Sequence, residues 1–398
     1  MNDFDTHICL VSAQATPNLL PLLDAQWKPR KVVLACSAQM KDAAQNLQSV
    51  IQTKGGGITV EMLLLPNAYD YAALSEVFLN YLAHNPNEKV ALNVTGGTKL
   101  MAVAAQEVFR AEKKPVFYVN VETDEVLLIG SDTPSQPLKT KLRVHELLRA
   151  HGYQVNAANH PQVTGVMRDL TARLIDHVAS AGPALGALNA LAHNAKRSPT
   201  LKAELNDQQR DSRSLNDLLT LFIQAGLLQH KSKSLIFKDE EARFFTNGGW
   251  LEWHVYEVLQ SLRSQHEGLS DVAMGLRVAF ADGNTKNDKK DKNEIDVAFL
   301  YRNTLHLIEC KTANLEKVGI GNDDKATEAI YKMESLLKLG GLRTKGMVVD
   351  YRGALTQSKA NLERASEAKI AIASGNGLKD LKGLISRLWL SKPKSATA

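Results

Sequence analysis

Asn293-Glu294-Ile295-Asp296-Val297-Ala298-Phe299-Leu300-Tyr301, followed by Arg302-Asn303-Thr304 and then Leu305-His306-Leu307-Ile308-Glu309-Cys310-Lys311, is the stretch that decides the C-terminal fold. Two runs rich in branched and aromatic residues flank a short polar turn, which is the pattern of a β-hairpin. Side chains alternate across a strand, so Glu309 and Lys311 share one face and Ile308 and Cys310 the other. With Arg302 and Asn303 as the two central turn residues, position 301 lies beside 304, which sets Asp296 beside Glu309 and Glu294 beside Lys311. A turn centred one residue later, on Asn303-Thr304, sets Asp296 opposite Lys311 instead. Both turns keep the acidic pair and the lysine on one face.

Two carboxylates held a few ångströms apart repel each other and are costly when dry, and a divalent cation relieves both penalties. Mg²⁺ or Mn²⁺ favours such oxygen ligands and can polarise a phosphodiester. A lysine two residues after the glutamate can position or deprotonate the attacking water, or steady the transition state. The backbone carbonyl of Cys310 is a further candidate metal ligand. A third carboxylate, Glu252, comes from the helix that begins Trp250-Leu251-Glu252-Trp253-His254-Val255-Tyr256. There Leu251, Val255, Val258 and Leu259 form the expected buried stripe, with Glu252 on its flank near the helix start. Two bland readings stand beside this one: Glu252 as a first-turn acid that suits the helix dipole, and Glu294 as a surface partner of Lys292.

Upstream, THICLV, RKVVLACS, ITVEMLLL, KVALNVTG and KPVFYVNV are short β-rich runs separated by longer helical patterns. In one of these helices Leu74, Val77, Phe78, Tyr81 and Leu82 recur at helical spacing and can cover a sheet. Strands alternating with such helices imply a mostly parallel, Rossmann-like sheet, whose ligands sit beyond the C-terminal strand ends. Val90-Ala91-Leu92-Asn93-Val94 runs there into Thr95-Gly96-Gly97-Thr98-Lys99 and a helix. Glycines permit a turn too tight for a Cβ, and the helix start presents amides to an anion or a polar nucleotide edge. The spacing is not that of a phosphate-binding P-loop, and a purely structural glycine turn is an equally weighted alternative. The polar loop after the first strand, with Ser12, Gln14 and Asn18, is expected on the same rim.

Between these ends, Gly130 to Pro137 resembles an inter-domain turn, and Lys139 to Gln229 is largely helical in pattern. Ser214 can cap a helix from Leu215 to Ala225 that ends at Gly226. β-like runs at Ser234 to Phe237 and Ala242 to Thr246 then suggest a winged-helix-like module, either a nucleic-acid reader or a spacer between flanking domains. The helix lacks the basic face that groove insertion needs. Expected domains are residues 1–137, 138–247 and 248–398. A polar loop from Asp282 to Lys292 offers Lys286, Lys289, Lys290 and Lys292 as weak nucleic-acid contacts, although a mixed-sign run usually reads as solvated surface.

Bulk properties narrow the class. With 48 Lys and Arg against 43 Asp and Glu, the net charge of +5 permits a polyanionic partner without demanding one. Three scattered cysteines support neither a disulfide framework nor a zinc cluster. An acidic N-terminus and the lack of any long apolar run point to a cytoplasmic protein without a membrane span.

The ordered set Glu252, Asn293-Glu294-Ile295-Asp296 and Glu309-Cys310-Lys311 resembles the PD-(D/E)xK restriction-endonuclease superfamily. The resemblance implies catalytic roles for Glu252, Asp296, Glu309 and Lys311. Leu92-Asn93-Val94-Thr95-Gly96-Gly97-Thr98-Lys99, together with the polar first loop, resembles the CARF family of Rossmann-like sensors attached to CRISPR ancillary effectors. The whole order resembles effector nucleases that join the two through a helical segment. It implies a homodimer that binds a cyclic oligoadenylate, cyclic tetra-adenylate first among them, at Thr95 to Lys99 with Ser12 and Gln14. On binding, the nuclease domains would be activated to cut or nick DNA, single-stranded RNA or both, in CRISPR antiviral defence. Alternatives are an ungated repair or restriction nuclease, and a nucleotide-sensing transcription regulator with an inactive nuclease-like tail.

Overall fold

All five N-terminal β-rich runs are strands of one sheet in the computed structural model, which describes residues 4–159, 164–178, 180–281, 293–312 and 325–391. In chain order they are β1 (Thr6–Leu10), α1 (Thr16–Leu23), β2 (Lys31–Cys36), α2 (Lys41–Lys54), β3 (Thr59–Leu64), α3 (Tyr71–His84), β4 (Val90–Asn93), α4 (Lys99–Ala111) and β5 (Val116–Asn120). β6 (Glu125–Leu128) and β7 (Gln136–Pro137) complete the sheet. Its order is β3-β2-β1-β4-β5-β6-β7, parallel through β5 and antiparallel after it. β1 and β2 are buried almost throughout, as expected of strands covered on both faces. The strand order reverses between β1 and β4, the switch point at which sheets of this kind bind ligands beyond the C-terminal strand ends.

The middle of the chain contains α5 (Val144–Ala150), β8 (Tyr153–Asn159), α6 (Gly165–Asp176), α7 (Gly182–Ala195), β9 (Lys202–Glu204), α8 (Asp207–Asp211), α9 (Arg213–Gln224), β10 (Leu228–Lys231), β11 (Ser234–Phe237) and α10 (Glu240–Phe244). Helix, strand, two helices and a two-stranded wing, with β9 added to the wing as β10-β11-β9, is the winged-helix order. Three local expectations need correction. Ser212, rather than Ser214, caps α9 by accepting from the Leu215 amide, although Gly226 ends it in a left-handed conformation as expected. Ala242 to Thr246 is helical, because Asp239 caps the Ala242 amide and Glu240 and Glu241 suit the first turn. β8 is a seven-residue strand inside a segment expected to be mostly helical.

α11 (Trp250–Arg263), β12 (Leu269–Phe280), β13 (Asn293–Tyr301), β14 (Thr304–Lys311), α12 (Lys325–Leu337), β15 (Lys345–Asp350), α13 (Lys359–Glu367), β16 (Ile370–Ser374) and α14 (Leu381–Ile385) follow. Their sheet runs β16-β15-β14-β13-β12-β8, so β8 closes its edge by pairing antiparallel with β12. One apolar cluster continues from Leu19 and Leu47 through Leu147 to Ile295, Leu300 and Met333, joining the two large sheets across α5. The opposite face of the second sheet, with Val297, Phe299 and Ile308, packs with Trp250 and Leu251 of α11 and with Leu185 and Phe222 of the winged-helix segment. Lys286, Lys289, Lys290 and Lys292 lie outside the described residues. Among the described residues, no helix is long and apolar enough to cross a membrane.

Candidate active site and ligand crevice

Arg302 and Asn303 both have positive φ, 47° and 51°, the backbone that a two-residue hairpin turn of the primed type requires. Of the two turns the sequence allowed, this is the first. The ladder accordingly pairs Tyr301 with Thr304 and continues to Val297 with Ile308. Beyond that rung the Asp296 side chain takes the place of a strand carbonyl, and the Cys310 amide donates to its Oδ2 at 2.7 Å. The same register carried one step further sets Asp296 across from Glu309. Both are deep, with Asp296 at 9% exposure and Glu309 at 0%.

A fully buried carboxylate is tolerable only when it is paired. Lys311 Nζ donates to Glu309 Oε1 at 2.5 Å. Lys332 Nζ, from α12, donates to both Glu309 oxygens at 2.6 and 2.7 Å. The sequence reading missed Lys332. Ala326, Ala329, Ile330 and Met333 form the buried stripe of α12, and a lysine on the flank of such a stripe reads as solvated. Only the packing of α12 over β14 brings it to Glu309.

Glu252 reaches the same place by a backbone route. Gly248 has φ of 100°, and a Cβ there would overlap the Thr312 hydroxyl, so the start of α11 lies against the end of β14. Burial raises the Glu252 carboxyl well above the carboxylate range, and the negative charges of Asp296, Glu294 and Glu309 raise it further, against Lys311. Burial and then the Glu309 charge push Asp296 up in the same way, opposed by Lys311, Lys332 and the Cys310 amide. For Lys311, burial disfavours the ammonium, but Glu309 and Asp296 outweigh it and the net direction is upward. Glu252, Asp296, Glu309 and Lys311 therefore form one electrostatic unit, with Lys332 added. Among the described residues, no three His, Cys, Asp or Glu side chains stand as a preformed metal cage. Asp350, in register with Lys311 on β15, is buried but gives its oxygens to the Arg352 and Leu355 amides.

In the first sheet, the loops after β1 and β4 meet beyond the C-terminal strand ends. A Cβ on Gly96 would overlap the Leu10 carbonyl and lie 3.5 Å from Ser12 Oγ, so only glycine lets the two loops close up. Gly97 has φ of 72°, and Thr98 caps α4 by accepting from the Met101 amide at 3.2 Å. The Thr95 hydroxyl donates to Asn93 Oδ1 at 2.7 Å and accepts from the Val119 amide at 2.8 Å, which fixes the turn. Lys99 is exposed at the start of α4. Ser12 Oγ accepts from the Gln14 amide, while Gln14 Oε1 accepts from the Leu342 amide at 3.3 Å and so bridges to the second sheet's domain. Asn18 is corrected: it is fully buried and spends its amide on the Leu10 carbonyl and on Asn93, which leaves it no face for a ligand.

A Rossmann-type sheet with a glycine turn at its switch point, packed against a second sheet that carries a buried acid and lysine cluster, defines a two-part α/β architecture. The family models divide the chain in the same way: residues 6–147 match the Card1 CARF domain, and residues 239–391 match the Card1-like endonuclease domain. The chain is a CARF-domain protein with a Card1/Can2-like nuclease domain. Protein VC1899 from Vibrio cholerae is similar over 97% of each chain, with 26% identity and a TM-score of 0.85. Can2 from Sulfobacillus thermosulfidooxidans, solved in complex with cyclic tetra-adenylate, is similar over 98% of this chain and 100% of its own, with 26% identity and a TM-score of 0.77. A type III CRISPR defence DNA nuclease activated by cyclic oligoadenylate shares the fold alone, at 17% identity, 88% and 45% coverage and a TM-score of 0.53. Among curated protein sequences, none matches this chain.

Proposed function

We propose that this protein is a metal-dependent endonuclease of CRISPR defence, switched on by a cyclic oligoadenylate, with cyclic tetra-adenylate as the ring. The observation that carries the nuclease reading is the buried cluster of Asp296, Glu309, Lys311 and Lys332 at the open end of the β13–β14 hairpin. The activator reading draws support from the glycine turn that sets Gly96 close against Leu10 and Ser12 at the switch point of the first sheet, and from the similarity to a Can2 solved with cyclic tetra-adenylate.

The donor chemistry suits a hard cation. Glu252, Asp296 and Glu309 offer oxygens only, and burial and mutual repulsion burden the ionised forms of Glu252 and Asp296. These three residues, with the Cys310 carbonyl, would hold Mg²⁺ or Mn²⁺, which when bound would polarise the scissile phosphate and stabilise its developing charge. Lys311 then steadies the phosphate or orients water, while Lys332 holds Glu309 in place. A homodimer is part of the reading: Leu79 on α3 and Val103 on α4 are 47% and 54% exposed, an apolar face that a second copy would cover. The substrate is DNA, single-stranded RNA or both.

The deciding experiment incubates the pure protein with labelled DNA and RNA, with and without Mn²⁺, against a panel of cyclic oligoadenylates. Cleavage that needs both the metal and the cyclic tetramer supports the proposal, and intact substrate under every condition refutes it. The winged-helix order of the middle segment favours one rival, a transcription regulator. In that case nucleic acid is bound and never cut, and Glu309→Ala changes nothing.

A further inference from the structure

Asn303 does more than form a turn. Left-handed backbone at the second turn position suits Asn, Asp or Gly alike. Its side chain, however, is 5% exposed and plugged into the sensor domain. Nδ2 donates to Asp124 Oδ2 at 3.1 Å and to the Thr140 carbonyl at 3.0 Å, and Oδ1 accepts from the Leu142 amide at 2.9 Å. Both donors and one acceptor site are thereby used.

Asp124 lies in the β5–β6 turn of the sensor sheet, itself left-handed at φ of 55°, and its carbonyl accepts from Leu138 at 2.7 Å. One strand back, the Val119 amide of β5 donates to the hydroxyl of Thr95 in the ligand crevice. The same β5–β6 turn is held from a second side, since Arg343, just before β15, donates to the Val121 carbonyl. An unbroken run of backbone and hydrogen bonds thus leads from Thr95 through β5 and Asp124 to Asn303. From Asn303, β13 and β14 lead straight to Asp296 and Glu309. The neighbouring strand β15 is anchored to the same turn.

We infer that Asn303 is the positioning residue that couples the sensor crevice to the nuclease hairpin, so that movement of the β5–β6 turn is read as movement of Asp296 and Glu309. The inference rests on the activator reading above. A contiguous chain of buried hydrogen bonds is a physical route along which energetic coupling travels between distant sites. Asn is needed because it donates twice: Asp at 303 would lose both donors and face the Asp124 carboxylate, while Gly would keep the turn and lose the tie.

The test uses the full-length protein and four readouts: binding of cyclic tetra-adenylate, cleavage with and without it, the thermal midpoint, and amide hydrogen exchange. Asn303→Gly is expected to stay folded and to bind the activator within about threefold of wild type, yet to lose about tenfold or more of the stimulation, within the usual range of a coupling energy. Asn303→Asp loses it as well, and adding Asp124→Asn, which restores the bond at position 124 but not the one to the Thr140 carbonyl, recovers part of it. Stimulation that survives Asn303→Gly, or that Asp124→Asn fails to recover, overturns the inference. If wild type itself is not stimulated by any ring, the activator reading fails and the exchange experiment still decides the coupling. Thr95→Val is expected to speed exchange in β14 of the wild-type background and not in the Asn303→Gly background. Equal effects in both backgrounds overturn the inference.

Discussion

Lys332 Nζ lies within 2.7 Å of both carboxylate oxygens of Glu309, a residue with no exposed surface, although the two are on different elements and Lys332 was not legible as a site residue. Lys311 shares the same carboxylate from the strand itself. Lys332→Met is therefore expected to leave Glu309 paired but mis-set. Its side chain is 38% exposed, so after allowance for solvent screening the loss of stability is about 1–2 kcal/mol. Cleavage should fall about tenfold or more, and Lys332→Arg should keep part of it. Urea titration and single-turnover cleavage measure the two effects, and a Met variant with wild-type cleavage would show Lys332 to be mere surface.

Gly96→Ala places a methyl where the Leu10 carbonyl already sits. Overpacking of this kind costs about 1–3 kcal/mol, and because it forces the β1 and β4 loops apart, activator affinity should drop with stability. Gly97→Ala has a different fault, a left-handed backbone, worth about 1 kcal/mol. Calorimetric titration with cyclic tetra-adenylate should rank Gly96→Ala as the more damaging of the two. The reverse order would mean that loop contact does not shape the crevice.

Burial drives the pKa of His7 down to about 3, and its two ring nitrogens have no hydrogen-bond partner among the described residues. Above the unfolded value of about 6.5, His7 is neutral in both states and contributes no pH dependence. As pH falls below that value the unfolded chain takes up the proton first, so stability declines by about 1.4 kcal/mol per pH unit until the folded value is reached. Asp124, raised to about 6 mainly by burial, has the opposite sign, since the folded state then binds the proton first. The prediction therefore concerns a difference: between pH 6 and 4, His7→Phe should gain stability relative to wild type at that slope, read from denaturant midpoints. A constant difference would place His7 in contact with water.

Cys9 is fully buried, and burial lifts its thiol to about 12 despite a hydrogen bond with Asn93. Burial raises Cys36 too, against the nearby Lys41 charge. Thiolate is the reactive form, so a chromogenic disulfide reagent at pH 8 should leave both unmodified in the native protein within minutes. In denaturant it should count all three cysteines of the chain. Rapid native reaction at Cys9 or Cys36 would contradict the packing of the sensor sheet.

Much of this architecture is local and periodic, which is why it could be read in advance. The five N-terminal strands are short apolar runs; β1, β2 and β4 are buried on both faces, which leaves no other pattern for them, while β3 lies at the sheet edge with no fully buried residue. The failures differ in cause, one tertiary and one local. Residues Tyr153-Gln154-Val155-Asn156-Ala157-Ala158-Asn159 have too little alternation to announce a strand, and they become one only because β12, more than a hundred residues later, offers an edge. Ala242 to Thr246 looks strand-like until the cap at Asp239 is counted.

The sequence by itself determined the hairpin. A period of two residues and a two-residue turn commit Asp296, Glu309 and Lys311 to one face, whatever surrounds them. Tertiary structure alone decided which other groups join them, because helices distant in sequence meet a site only through packing. Gly248 lays Glu252 against the end of β14, α12 delivers Lys332, and the buried amide of Asn303 ties the turn to Asp124. Asn18 shows the converse: a polar residue in a promising loop is claimed by the core, because the Leu10 carbonyl and Asn93 beside it need a partner out of reach of water.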